Sequence, residues 1–246
     1  MNRLANILAP VVLVAVLLAA WEIACNALQV PVYFLAPPSA IAASLIADAP
    51  ALLRATGYTL AEALGALVIA SLLAQALALT VALSPLLERA VKPLTVVLQV
   101  TPVIAIAPLV NIWAGTDHPG RAVISLATLV AFFPIYSGAV TGLRATDPDL
   151  TRLFDLYGAT RIQRLIRLRL PSAVPFVLEG HKVAAGLAIV GAVVAEFVAG
   201  SGKVQGLAWR ILEAGNRLQT AKMFAALVGL GVMDGVVQAV IEAAVR

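Results

Sequence analysis

Long apolar stretches alternate with short charged ones along the chain. A charge at the centre of a bilayer costs about 2.5–3.5 kcal/mol, so apolar runs of about 20 residues predict membrane-spanning helices. Six such spans are predicted, and together they make residues 1–246 a single transmembrane domain of an all-α, polytopic helical bundle. The predicted spans cover approximately 5–28, 59–84, 93–116, 120–143, 174–199 and 221–245.

The last two predicted spans contain ionisable residues. Glu179, His181 and Lys182 interrupt the fifth, and Asp234 and Glu242 lie in the sixth. Such groups are tolerated inside a membrane where they face protein or a water-filled route. Glu179 and Lys182 are three residues apart, so we expect them to share a helix face and neutralise each other. They form either a structural pair near the inner membrane interface or part of the cytoplasmic mouth of a pathway across the membrane.

Composition supports a membrane protein. The chain is 61% hydrophobic and only 12% charged, whereas soluble domains carry roughly 25% charged residues, which argues against a soluble enzyme. A single cysteine, Cys25, excludes an internal disulfide and a cysteine-built metal site. The two histidines are expected on opposite sides of the membrane, so neither a catalytic nor a metal centre is predicted. Residues 200–203 lack the remaining residues of a phosphate-binding loop and are expected to be an ordinary loop.

Lysine and arginine are unevenly distributed among the predicted loops. Placing the N-terminus inside puts ten of them on the inner side and six on the outer side, with Lys182 inside a span. Because positive residues concentrate in cytoplasmic loops, both termini and the loop 144–173 are predicted to be cytoplasmic. The inner ten are Arg3, Arg89, Lys92, Arg144, Arg152, Arg161, Arg164, Arg167, Arg169 and Arg246.

The loop 144–173 predicts two short helices joined by a glycine elbow. Asp147 is an N-cap residue, and Pro148 suits the first helical position, so a helix is expected to run to Tyr157. Gly158 then provides the left-handed conformation that helix C-termini commonly need.

Thr160 is expected to cap the second of these helices, which should end before Pro171, because proline disfavours a helical conformation in the residue ahead of it. This helix is amphipathic and basic. The residues alone fit a helix that rests on anionic lipid headgroups as well as they fit a helix with another function. One side is predicted to carry Ile162, Leu165, Ile166 and Arg169, while Arg161, Arg164 and Arg167 recur at every third position.

The same loop resembles the cytoplasmic signature loop of binding-protein-dependent ABC transporter permeases. In that signature Glu-Ala-Ala is followed by three residues, Gly, nine residues, Ile, one residue and Leu-Pro. Gly158, Leu168 in place of Ile, Leu170 and Pro171 fall at these spacings. Arg-Leu-Phe at 152–154 replaces Glu-Ala-Ala, so which side chains make the contacts of the first helix stays open.

Segments outside the loop extend the resemblance over the chain. Residues 33–39, 101–109 and 113–115 resemble the segment after the first span and the third span of nitrate/sulfonate/taurine-type permeases. Residues 194–196, followed by 206–207, resemble the end of their fifth span and the loop after it. These matches occur in the same order as in that family.

The resemblance implies the permease subunit of a type I ABC importer in a bacterial inner membrane. Two permease copies, expected to be identical, form the route across the lipid bilayer. Two cytoplasmic ATPase subunits bind the ATP and Mg, so this chain needs no cofactor, and an external binding protein delivers the solute; no nucleic acid is involved. The residues expected at the ATPase are Leu153, Asp155, Tyr157, Gly158, Ala159, Thr160, Arg161, Arg164, Leu165, Leu168, Leu170 and Pro171.

Polar side chains in the third and fifth predicted spans are the candidates for lining a route. Those in the third span either line it or form hydrogen bonds between helices, and Glu196 is expected at a water-exposed position. Related permeases serve nitrate, alkanesulfonates, taurine and pyrimidine precursors of thiamine, and this chain alone does not choose among them. The alternative function is a stand-alone membrane transporter or scaffold. The route candidates are Gln99, Thr101, Asn111, Glu179, Lys182 and Glu196.

Two pairs of small residues and one outer segment complete the prediction. Gly138 with Gly142, and Gly231 with Gly235, have the spacing of close helix contacts in membranes. Residues 202–220 predict a short helix on the outer interface, which lies either beneath a binding protein or on lipid.

Overall fold

A computed structural model describes residues 3–100, 102–115, 118–199 and 205–245, and every regular element within these ranges is helical. Five helical segments of the described chain are long and apolar enough to cross a membrane. The class predicted from sequence, an all-α polytopic bundle, is confirmed. The elements are α1 (Arg3–Ala27), α2 (Pro38–Ala47), α3 (Ala49–Leu83), α4 (Pro85–Val100), α5 (Val103–Ala114), α6 (Pro119–Arg144), α7 (Pro148–Leu156), α8 (Arg161–Arg164), a π-helical turn (Leu165–Arg169), α9 (Leu170–Ala199), α10 (Leu207–Asn216) and α11 (Thr220–Val245).

The third predicted span, 93–116, is not one helix. It is divided between α4 and α5, and Pro102, with φ −65° and ψ 111°, stands at the N-terminus of α5. Because the proline ring disfavours a helical conformation in the residue before it, Pro102 favours a break in the apolar run at this point. Thr101 and residues 200–203, which the sequence analysis singled out, lie outside the described residues.

The helices form two compact units. The first comprises Met1–Gly57 and Gln205–Val232, and the second comprises Tyr58–Val204 and Met233–Arg246. Within the first unit, Ala36, Ile41 and Ala225 form a small buried core.

Side chains of α1 hold the neighbouring segments of the first unit. The Glu22 carboxylate accepts hydrogen bonds from the Ser39 backbone N–H at 3.0 Å and from Ser39 Oγ at 2.8 Å. It therefore satisfies one of the unpaired N–H groups in the first turn of α2. The ring of Trp21 meets that of Phe224 edge-on, with 5.6 Å between centroids. Glu22 thus stabilises the start of the next helix within a largely apolar segment.

The short outer helix predicted in residues 202–220 is present as α10. It begins after Gly206, and its apolar residues Leu207, Ala208 and Ile211 are buried. Apolar side chains spaced three and four residues apart form one helix face, and here that face is covered by protein.

The second unit contains an extensive pairing of α6 with α9. Alanine is the commonest buried residue in both helices. Small side chains let the backbones of two membrane helices approach closely, and packing replaces the hydrophobic effect as the driving force there. The buried alanines are Ala122, Ala127, Ala131 and Ala139 of α6, and Ala173, Ala184, Ala185, Ala188, Ala192 and Ala195 of α9.

Candidate functional site

A cavity of about 840 Å³ lies within the second unit, among α4, α5, α6 and α9. Its wall combines the aromatic side chains of Phe133, Tyr136 and Phe176 with the polar side chains of Gln99 and Ser137. Small-molecule sites are mostly apolar, with a few polar groups that fix orientation. The cavity has the size and lining for one small solute.

Charged residues also contribute to the cavity wall. Glu88 of α4 forms an ion pair with Arg144 at the end of α6, and Lys92 lies one turn after Glu88. Glu179 of α9 pairs with Lys182, with 3.4 Å between Oε2 and Nζ. The predicted Glu179–Lys182 pair is therefore present, and its glutamate contributes to the cavity.

Glycines set the closest approach of α6 to α9 beside this cavity. A Cβ atom added to Gly138 would lie 2.6 Å from the carbonyl oxygen of Phe176, and one added to Gly142 would lie 2.8 Å from Cα of Ala173. The predicted close contact at this glycine pair is confirmed. The second pair behaves differently, because a Cβ at Gly231 or Gly235 meets no atom within 4 Å in the described chain.

Aromatic rings order the α6 side of the cavity. Phe132 stacks on Tyr136 with 5.7 Å between centroids and 9° between planes, and it meets Phe133 edge-on at 5.5 Å. Such pairs favour defined offset or edge-on geometries. The rings of Phe133 and Tyr136 are thereby held in fixed positions in the wall.

A buried polar cluster joins α3 to α9 away from the cavity lining. Thr59 Oγ1 donates a 2.6 Å hydrogen bond to Glu196 Oε1, and the carboxyl groups of Glu62 and Glu196 are hydrogen-bonded to each other. Glu196 has no exposed surface. The expectation that Glu196 is exposed to water is wrong, because Thr59 and Glu62, one turn apart on α3, cover it.

His181 belongs to a second polar connection between the same helices. Its Nε2 lies 2.9 Å from Ser71 Oγ, its Nδ1 lies 2.7 Å from the Val177 carbonyl oxygen, and Gln75 donates to Ser71 at 2.7 Å. Polar side chains in membrane helices commonly bond across helices in this way. No group of three or more His, Cys, Asp or Glu residues able to hold a metal ion occurs in the described part of the chain.

The loop between α6 and α9 has the predicted elbow. The Asp147 side chain accepts a 2.7 Å hydrogen bond from the Asp149 backbone N–H and caps α7, and Gly158 has φ +65°. Thr160 caps α8, and a reciprocal bond from Gln163 completes a capping box that the sequence analysis missed. The signal for it was the threonine followed three residues later by glutamine.

The second helix of the loop does not end before Pro171. Its backbone widens into the π-helical turn Leu165–Arg169 and continues into α9, and the Leu170 N–H bonds to the Leu165 carbonyl oxygen. Proline lacks the N–H that an α-helix would require at position 171, and the wider turn shifts the hydrogen-bonding register just before it. The predicted helix end is therefore wrong.

The wide turn also changes which residues face inward. Leu165 and Leu168 are buried, whereas Ile162 and Ile166 are exposed, so the predicted stripe of Ile162, Leu165, Ile166 and Arg169 does not form one face. Leu156 and Tyr157 at the elbow are 84% and 83% exposed. Together with Gly158 they form the apolar tip of the loop.

The sequence-predicted site residues fall in several places. Gln99 and Glu179 line the cavity, whereas Asn111 and Lys182 do not contribute to its wall. The predicted ATPase-contact residues all lie on α7, the elbow, α8, the π-helical turn or the first turn of α9, and Leu165 and Leu168 among them point into the chain. Arg164 is tied to Asp155 of α7 by a 2.5 Å ion pair, which fastens the two arms of the elbow.

These features define a polytopic helical membrane protein with a solute-sized cavity and an internally braced two-helix loop. Residues 66–245 match the family of binding-protein-dependent transport system inner membrane components. The chain belongs to this family. It is accordingly an ABC transporter permease for small solutes, a multi-pass inner-membrane transport component and not a catalytic enzyme.

Individual relatives agree with the family match. A probable ABC transporter permease protein of Haemophilus influenzae is 32% identical over 90% of this chain and 89% of its own length. The formylaminopyrimidine transport permease ThiX of Halalkalibacterium halodurans is 31% identical over 80% of this chain and 78% of its own. The taurine transport permease TauC of Escherichia coli is 27% identical over 89% and 80%, respectively. The predicted resemblance to sulfonate- and taurine-type permeases is confirmed.

Proposed function

We propose that the chain forms the route of an ATP-driven importer and that ATPase subunits, which hold the ATP and Mg, bind the loop 144–173. The observation that carries the proposal is the apolar tip. Leu156 and Tyr157 are large apolar side chains left in solvent beside arginines, and contiguous exposed apolar surface usually marks a protein contact. We place this loop and both termini in the cytoplasm, following the excess of positive residues.

The loop suits the transmission of motion because it is internally fastened. Caps at Asp147 and Thr160 fix the starts of α7 and α8, and the Arg164–Asp155 ion pair joins the two helices. The π-helical turn then joins α8 to α9 without a flexible linker. A push on the tip therefore reaches α9, which lines the cavity, as a movement of one body.

The cavity suits a small solute with both polar and flat apolar parts. Its aromatic and charged lining is compatible with a heterocyclic or an anionic solute, and relatives are named for formylaminopyrimidine and for taurine transport. We propose a solute of one of these two classes, delivered by an external binding protein. A second copy of the chain completes the route in this proposal.

Binding of an ATPase tests the proposal. Co-expression of the chain with an ABC ATPase encoded beside it is expected to give a complex that survives size-exclusion chromatography. Tyr157→Asp and Leu156→Asp are expected to lower the amount of bound ATPase by about tenfold, because each places a charge in an apolar contact. Phe34→Asp, which alters a similarly exposed ring (77%) of the α1–α2 connection, is expected to leave binding unchanged.

The outcome separates the two functions that the sequence left open. A stand-alone transporter would bind no ATPase, and its uptake would not respond to Tyr157→Asp. Equal loss of binding for Tyr157→Asp and Phe34→Asp would contradict the role of the apolar tip.

Blocking the cavity is expected to stop transport without unfolding the protein. Ser137 of α6 lies exposed in the cavity wall, and Ser137→Trp would fill part of that volume. We expect uptake of radiolabelled solute into reconstituted vesicles to fall by about tenfold or more. An increase of about 1.4 kcal/mol in the activation free energy of transport is enough for that factor. Ser125→Trp, at an exposed position of α6 outside the cavity wall, is the control. Unchanged uptake with Ser137→Trp would rule out this cavity as the route.

A further inference from the structure

A second cavity, of about 200 Å³, separates the loop from the corner between α3 and α4. Three arginines, Arg161, Arg164 and Arg169, contribute to its wall. In the sequence pattern, by contrast, Arg161, Arg164 and Arg167 recur at every third position. Arg167 is exposed and does not line the cavity.

The π-helical turn explains why Arg169 replaces Arg167. In a regular α-helix, residues that are five apart point in different directions, because one turn takes 3.6 residues. A π-helical turn closes hydrogen bonds between residues five apart, so five residues bring the chain round to nearly the same side. The turn Leu165–Arg169 thereby places Arg169 beside Arg164. Such wide turns occur frequently at functional sites.

The cavity carries an excess of positive charge. Arg164 is neutralised by Asp155, whereas Arg161 and Arg169 form no ion pair within the described residues. Two positive charges that border one small space repel each other and favour an anion between them. The fork of N–H donors on arginine fits the oxygens of a phosphate group particularly well.

The remaining wall of the cavity is apolar. Ala82 and Leu83, at the end of α3, and Pro85, at the start of α4, contribute to it with Leu165. The helix α3 is one of the segments able to cross the membrane, and we place its last residues at the boundary between the hydrocarbon core and the headgroups. A free solute anion has no need of such an apolar wall, but a lipid places its phosphate and the start of its acyl chains at this depth.

We infer that this cavity is a binding site for the phosphate of an anionic phospholipid, held by Arg161, Arg164 and Arg169. The lipid fills the space between the loop and the α3–α4 corner and neutralises the two unpaired arginines. It therefore supports the loop from its membrane side, while the apolar tip of Leu156 and Tyr157 stays free for the ATPase. The site itself depends only on the membrane position of α3 and not on the proposed ATPase contact.

The test is lipid binding to the full chain, purified and stripped of lipid in mild detergent, without any ATPase. Native mass spectrometry is expected to show phosphatidylglycerol bound about tenfold more tightly than the zwitterionic phosphatidylcholine. The double variant Arg161→Gln/Arg169→Gln is expected to lose that preference. Arg167→Gln, in the same turn but outside the cavity, is expected to retain it. Arg169→Lys, which keeps the charge, is expected to retain most of the preference for phosphatidylglycerol. That result would show that the fold tolerates a substitution at position 169.

Three outcomes would overturn the inference. The first is equal binding of the two lipids, and the second is an equal loss of preference in Arg167→Gln and in the double variant. The third is that inorganic phosphate displaces bound phosphatidylglycerol as effectively as added phosphatidylglycerol does. The last would indicate a site for a free anion. Because the ATPase is absent, failure of this test leaves the ATPase proposal untouched, and a failed ATPase test leaves the lipid site standing.

Discussion

Gly180→Ala is expected to lower the free energy of unfolding by about 3 kcal/mol, near the upper end of the usual cost of overpacking. An added Cβ would lie 2.7 Å from the Pro134 carbonyl oxygen and 3.4 Å from Cα of Ile135, both backbone atoms of α6. A side chain can rotate away from a clash, but a helix backbone cannot. The methyl group therefore has to push α9 away from α6, and close packing along the pair is lost.

A matched substitution controls for the change of residue type. Gly231→Ala, also within a long helix, introduces a Cβ that meets no atom within 4 Å. Alanine is a better helix former than glycine by up to about 1 kcal/mol, so this variant should be neutral or more stable. The measurement is the midpoint of thermal unfolding in detergent, read as the loss of the monodisperse peak. Equal destabilisation by the two substitutions would contradict the tight packing of α6 on α9.

The parts of the loop that the sequence predicted correctly depend on local interactions. Asp147, Pro148, Gly158 and Thr160 act on backbone groups no more than three residues away. Caps and left-handed glycines are determined by the sequence next to them. For this reason, the elbow and the starts of both short helices were predictable without any knowledge of the rest of the chain.

The continuation of the helix through Pro171 was not predictable in this way. Proline usually indicates that a helix ends before it, and whether the backbone widens instead depends on what the helix packs against. Leu165 and Leu168, both within the π-helical turn, are buried. Their burial supplies the free energy that favours one continuous helix, and it is a tertiary property.

The burial of Glu196 likewise depends on distant residues. Its partners, Thr59 and Glu62, precede it by more than 130 positions. Glu62 did provide a signal, since it is an acidic residue within the second predicted span, and such groups usually face another polar group. Only the fold shows which one. The cavity is likewise formed by four helices. Gln99 and Glu179 could therefore be predicted individually as lining residues, but the sequence did not show that they line the same cavity.

Glu196→Ala is expected to destabilise the protein by about 3 kcal/mol. The side chain is fully buried and accepts a 2.6 Å hydrogen bond from Thr59. Truncation leaves a cavity, which costs about 2–5 kcal/mol for side chains of this size, and it removes an acceptor from a buried hydroxyl group. Glu179→Ala, on the same helix but with 69% of the side chain exposed, should cost only about 0.5 kcal/mol.

Conservative variants of the same cluster distinguish hydrogen bonding from packing. Two carboxylates offer only acceptors, so a hydrogen bond between Glu62 and Glu196 requires a proton on one of them. An amide supplies a donor of the same shape, and Glu62→Gln is therefore expected to keep most of the stability. Glu196→Gln retains the acceptor for Thr59 and should cost about 1 kcal/mol. In a double-mutant cycle with Thr59→Val, Glu196→Ala should show coupling of about 1 kcal/mol. If Glu196→Gln were as damaging as Glu196→Ala, or if the cycle showed no coupling, the cluster would not join α3 to α9 as described.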